Sequence, residues 1–218
     1  MKDYKYILFD LDGTVVDSSP GITNSCSYAL KKMGIEPPCR EELYCFIGPP
    51  LTESFSKYYG LSSEDADKAV AYYREYYKDT GIFEITPYAG IEELFSSLVK
   101  SGKRVILATS KPELFAKRII EHLGFDKYFT FIAGALFDKS REKKADVIRY
   151  ALDSIGITDV SECLMVGDRE HDIMGANALG MDSCGILHGF GSREEFEQHS
   201  ATYVAADSLE LLDMLIKQ

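Results

Sequence analysis

The chain has 218 residues, 45% of them hydrophobic, and carries 24 basic against 35 acidic side chains for a formal net charge of -11. That length supports one large domain, or one domain with a smaller insertion, while the acidic balance argues against nucleic acid or a membrane surface as a partner and requires a locally positive pocket for any anionic substrate. Five cysteines (Cys26, Cys39, Cys45, Cys163, Cys184) without a CxxC pair argue against a disulfide framework or zinc site, and a cytoplasmic protein is expected, without targeting or transmembrane segments.

Along the chain, short apolar runs bounded by turn residues predict buried strands at Tyr6–Phe9, Val105–Ala108, Phe129–Ile132, Cys163–Val166, Cys184–Leu187 and Tyr203–Ala205. Residues 16–86 interrupt this rhythm: they show no strand pattern and instead predict helices over Ser18–Met33, Glu41–Phe46, Leu51–Tyr59 and Ser62–Lys78. The tyrosines of the last, Tyr72, Tyr73, Tyr76 and Tyr77, read as helix-packing residues and not as a ligand stripe. Beyond them, helices are expected at Ile91–Ser101, Glu113–Leu123, Lys144–Ile155, Asp172–Leu179 and Leu209–Ile216, with Gly102, Gly124, Gly156 and Gly180 as stops. Strand–helix alternation of this kind predicts an α/β fold with a doubly wound parallel sheet. The expected division is a Rossmann-like core formed by 1–15 and 87–218, with an inserted all-helical domain at 16–86.

Ligands of open parallel sheets bind beyond the carboxyl ends of the strands. There this sequence places Asp10-Leu-Asp12-Gly-Thr, Thr109-Ser-Lys-Pro and Gly167-Asp168-Arg-Glu-His-Asp172, with Lys143-Lys144 opening a later helix. Carboxylates gathered at one edge are costly without a positive partner, and a hard divalent cation such as Mg2+ accepts such oxygens. Asp10 and Asp168 are the expected direct ligands, the Asp12 carbonyl a third, and Asp172 a ligand or orienting group. A phosphate beside such an ion lies open to attack by the Asp10 carboxylate, with Asp12 moving the proton, Thr109 holding a phosphoryl oxygen and Lys144 offsetting charge. A calcium loop fails on spacing, since counting from Asp10 puts Val15 where that loop needs Gly and Gly21 where it needs Glu. His171 has no evident pairing and stays outside the catalytic set. His188-Gly-Phe-Gly-Ser-Arg193 lacks the third glycine of a dinucleotide loop and reads as a strand-to-helix turn near the site.

On these motifs the chain resembles the haloacid dehalogenase-like (HAD) hydrolase superfamily, in its phosphoglycolate phosphatase-like branch with a helical cap after the first motif. DLDGT at 10–14 is similar to the first motif, Thr109 in ILATSKP to the second and GDREHD at 167–172 to the fourth. Two departures stand out: Ser110 occupies a position where the family often has Asn, and SREKKADVI replaces Lys-Pro-x-Pro, so Lys144 is preferred to Lys143 on helix register. The resemblance implies a cap whose loops select the leaving group, which singles out Gly48 and Pro49 in Phe46–Leu51, with Gly13 and Ser110 also near substrate. It further implies an Mg2+-dependent phosphatase for a small phosphorylated metabolite, 2-phosphoglycolate or a 5'-nucleotide, acting as a monomer or dimer. The alternatives are a β-phosphoglucomutase-like mutase and a catalytically silent binding module; the reading as an NTP-dependent kinase finds no Walker-type sequence in this chain.

Overall fold

Tyr6–Phe9 (β1) is buried along its whole length, as a strand covered on both faces must be, which is why it reads as an unbroken apolar run and not an alternating one. The structure, a computed structural model, describes residues 1–138 and 140–216. After β1 come a two-residue strand β2 (Val16–Asp17), helices α1 (Ser19–Lys32), α2 (Leu51–Tyr59) and α3 (Ser63–Tyr77), and a second two-residue strand β3 (Thr86–Pro87) that pairs with β2. Alternation then takes over, with α4 (Ile91–Lys100), β4 (Arg104–Pro112), α5 (Glu113–His122), β5 (Phe129–Ala135), α6 (Lys144–Ser154) and β6 (Cys163–Gly167). The chain finishes with α7 (Glu170–Asn177), β7 (Asp182–Ile186), α8 (Arg193–Gln198), β8 (Tyr203–Ala205) and α9 (Ser208–Ile216).

Six strands form one parallel sheet in the order β5-β4-β1-β6-β7-β8. The chain runs outward from β1 through β4 to β5, then crosses back to β6 and continues to β8. Strand order therefore reverses between β1 and β6, the place where an open α/β sheet leaves a crevice at its carboxyl edge. On one face Leu8, Ile106 and Met165 pack against Val147, Ile148, Ala151 and Leu152 of α6 and Ala176 of α7. On the other, Phe95 of α4 meets Phe9 and Phe129 edge-on, each at 5.1 Å between ring centroids.

The chain separates into two compact units, Met1–Val16 with Pro87–Gln218, and Asp17–Thr86. The second is helical, with α1 packed on α3 and α3 on α2. The Ser62 hydroxyl caps α3 by accepting the Asp65 N–H (3.1 Å). Tyr73 and Tyr77 are buried and stacked on one another at 5.2 Å, the packing role expected of them. Glu84 accepts hydrogen bonds from Asn24 and Tyr76, both at 3.0 Å.

Four elements differ from the sequence expectation or go beyond it. Arg40–Phe46 is a 3-10 helix and not an α-helix; confined between Pro37-Pro38 and Gly48-Pro49-Pro50, the segment is too short to repay α-helix nucleation. The pair β2–β3 is too short for an alternation pattern to reveal it. Helix α8 contributes a single buried apolar residue, Phe196, and so shows no helical periodicity; its signature is the cap, with Ser192 accepting the Glu195 N–H at 3.2 Å.

Phe95 is fully buried among aromatic rings, so Phe95→Ala should cost about 3–5 kcal/mol through lost transfer energy and the cavity left behind, measured by urea unfolding.

Candidate active site

Asp10 leaves β1 while still held by the sheet, since its N–H donates to Val166 of β6 at 2.9 Å. The chain then folds tightly over Leu11, whose carbonyl accepts N–H groups from Thr14, Val15 and Val16 at 3.3, 2.9 and 3.1 Å. This turn drives Gly13 to φ +84°, and a Cβ there would lie 2.1 Å from Asp168 Oδ2. Glycine is thus required twice, for backbone conformation and for the approach of a carboxylate.

Asp168 follows β6 on the opposite side of the crevice and is completely buried. Its Oδ1 accepts the Thr14 hydroxyl (3.3 Å) and its Oδ2 the Phe190 N–H (2.9 Å). Asp172, in the first turn of α7, accepts the Arg169 N–H at 3.1 Å in a capping box. Gly167 makes room for it, because a Cβ at that position would fall 2.1 Å from the Asp172 carboxyl carbon. Carboxylate oxygens of Asp10, Asp168 and Asp172 lie within 4.8 Å of one another.

Among the described residues, one ammonium sits among these groups. Lys144, the first residue of α6 and buried, places Nζ 2.6 Å from Asp10 Oδ1 and 2.8 Å from Asp172 Oδ1, and donates to the Ala108 carbonyl at 3.0 Å. Its neighbour Lys143 is exposed. Burial pushes the Asp10 pKa up to about 6, Lys144 opposing the shift and Asp172 adding to it. Asp168 rises well above the usual carboxylate range, through burial first and then through Asp172 and Asp10. Burial works against the charged form of Lys144, but Asp10 and Asp172 outweigh it and hold its pKa above the ordinary lysine value. Three desolvated carboxylates around one ammonium make a hard, oxygen-lined, under-compensated site, and a small divalent cation fits that donor set.

Asp12 points elsewhere. Both of its carboxylate oxygens accept from the buried ammonium of Lys111, at 2.7 and 2.6 Å. The sequence alone does not single out Lys111, because Thr109-Ser-Lys-Pro reads there as a turn and helix start. In the structure β4 continues to Pro112, and a register shift against β5 between Thr109 and Pro112 makes a bulge at Ser110-Lys111. The buried Thr109 hydroxyl accepts the Lys111 N–H at 3.2 Å, and Ser110 is half-buried beside it. The available signal is a lysine two residues after Thr109, the first polar residue past the apolar run.

A second group absent from the expected set is His188, after β7. Its Nε2 lies 3.0 Å from the Thr14 carbonyl, an acceptor only, so this nitrogen bears the hydrogen. The ring stacks on Tyr88 at 4.0 Å between centroids, and burial lowers its pKa. His171 is exposed. Asp10, Asp12, Gly13, Thr109, Ser110, Lys144, Asp168 and Asp172 all belong to the first compact unit, whereas Gly48 and Pro49 belong to the helical one.

Comparison with known proteins sets this geometry in a family. A 5'-nucleotidase of Pseudomonas aeruginosa is 43% identical over 212 residues, 97% of this chain and 96% of that protein. A tyrosine-protein kinase, PtkA of Mycobacterium tuberculosis, is 37% identical over 198 residues, 91% of this chain and 67% of the relative. Among solved structures, one described as a predicted phosphatase from Clostridium acetobutylicum superposes with a TM-score of 0.93 at 43% identity, covering 100% of both chains. The sequence profile of one family matches residues 7–186, the span that holds every acidic and basic group of the cluster: the chain belongs to the haloacid dehalogenase-like hydrolases.

Proposed function

We propose that the protein is a phosphatase for small phosphate monoesters, working through an aspartyl-phosphate on Asp10. The observation that carries this reading is the buried ammonium of Lys144 shared by Asp10 and Asp172 beside the buried Asp168. An unassisted carboxylate does not attack a phosphate dianion, because the charges repel; lysine and a cation-binding cluster beside the attacking oxygen supply the compensation.

In the first step an Asp10 oxygen bonds to phosphorus while the bond to the leaving oxygen breaks, and Asp12 delivers a proton to that oxygen. In the second, Asp12 takes a proton from water, the water oxygen bonds to phosphorus, and the bond to Asp10 breaks to release inorganic phosphate. Lys144 offsets charge on the transferring group, and the Thr109 hydroxyl holds one of its oxygens. Asp10, Asp168, Asp172 and the Asp12 carbonyl would hold Mg2+, which supplies Lewis-acid charge compensation. Lys111 positions the Asp12 carboxylate.

We assign leaving-group contacts to Gly48 and Pro49 of the helical unit, and to Gly13 and Ser110 of the core. Similarity to the 5'-nucleotidase of Pseudomonas aeruginosa favours a 5'-nucleotide over 2-phosphoglycolate as substrate. No helix among the described residues is long and apolar enough to cross a membrane. We assign the protein to the cytoplasm, as a monomer or dimer.

Asp10→Asn should lower kcat by at least about 10³-fold with an unchanged circular dichroism spectrum, because the amide cannot form the acyl phosphate; near-wild-type turnover would contradict the mechanism. A panel of nucleoside 5'-monophosphates, 2-phosphoglycolate and hexose 1-phosphates, assayed for phosphate release with Mg2+ and with EDTA, should show metal-dependent release that is greatest for a nucleotide. Formation of hexose 6-phosphate would point to a mutase, and transfer of phosphate from ATP to protein tyrosine to a kinase.

A further inference from the structure

The segment that joins β7 to α8 has no part in the chemistry above, yet it is built against the cluster with unusual closeness. A Cβ on Gly189 would fall 2.3 Å from the Gly13 carbonyl oxygen and 2.4 Å from Asp168 Cβ, and one on Gly191 would fall 2.1 Å from the Asp168 carbonyl oxygen. The obstacles include backbone, which cannot swing aside as a flexible side chain would. Between these glycines the Phe190 N–H is delivered to Asp168 Oδ2 at 2.9 Å. The loop is anchored at its start by His188, which donates to the Thr14 carbonyl at 3.0 Å and stacks on Tyr88, whose own N–H donates to Val15 at 3.1 Å. Thr14 in turn donates its hydroxyl to the other oxygen of Asp168 at 3.3 Å. Three hydrogen bonds thus link His188, Thr14, Asp168 and Phe190, and the backbone through Gly189 closes them into a ring.

We propose that the His188–Gly191 loop is the positioning element of the cation site, and that the N–H of His188 locks it. Each oxygen of Asp168 is pinned by one donor, and the ring fixes both donors relative to each other. A carboxylate held in this way meets a small cation that demands near-octahedral geometry without first losing rotational freedom, which is how partners behind a metal ligand raise affinity. His188 reaches Asp168 only through Thr14, so it is a positioning residue. The inference rests on the cation assignment made under the proposed function.

Mn2+ binding to the full-length protein without substrate, followed by electron paramagnetic resonance, tests it. His188→Phe keeps an aromatic ring against Tyr88 and removes the N–H; the expected result is a Kd for Mn2+ raised about tenfold with unchanged circular dichroism. His188→Gln, whose amide nitrogen reaches about as far as Nε2 and can donate, should return to within about threefold of wild type, a recovery that a purely structural role of the ring would not produce. Asp168→Asn should abolish binding and so confirm that the ion is read at this site. Wild-type affinity in His188→Phe, or a loss in His188→Gln as large as in the phenylalanine variant, overturns the positioning role while leaving the cation site intact. Equal affinity in wild type and Asp168→Asn overturns the cation assignment together with it.

Discussion

Three carboxylates drawn out of water around the ammonium of Lys144 are the constraint on which the rest of this protein is built. Such a group is expensive, because each charge loses its hydration and repels the others. The fold meets that cost by anchoring each acid to ordered backbone or a buried hydroxyl. Asp10 is tied to β6 through its own amide, Asp168 is reached by Thr14 and Phe190, and Asp172 closes the cap of α7. Lys144 then bridges Asp10 and Asp172 from the start of α6. What remains uncompensated is negative charge presented by oxygen donors, the donor set that suits a small divalent cation.

The sheet explains why the residues come from such distant parts of the chain. Because strand order reverses beside β1, the carboxyl ends of β1 and β6 become neighbours although Asp10 and Asp168 are far apart in sequence. Residues without side chains are as important here as those with them. Gly13, Gly167 and Gly189 each occupy a place where a methyl group would collide with a carboxylate of the cluster or its immediate backbone. The density of glycine around the cluster is a packing requirement of bringing acids close together and not a sign of flexibility.

Much of this was legible in the sequence. Buried parallel strands produce unbroken apolar runs, so the six strands of the sheet could be placed, and acids immediately after such runs must gather at one edge; Asp10, Asp168 and Asp172 follow from those two facts. Lys144 depended on helix register and could be distinguished from Lys143 on that ground alone. Lys111 was not found because its position depends on a β-bulge, a two-residue irregularity that leaves no periodic trace. His188 was not found because its role is a contact across 174 residues to a carbonyl, and backbone acceptors are not recorded in side-chain identity. Helix α8 is announced only by the strand-to-helix turn before it and by its Ser-x-x-Glu cap, because it lacks apolar periodicity from which to draw its extent.

Every acid and base of the cluster lies in the discontinuous α/β unit, while Asp17–Thr86 carries none of them. The two units are therefore unequal in what they constrain: a substitution in 17–86 leaves every charged group of the cluster in place, whereas the α/β unit has to keep its acids, its lysine and the glycines between them in register at once.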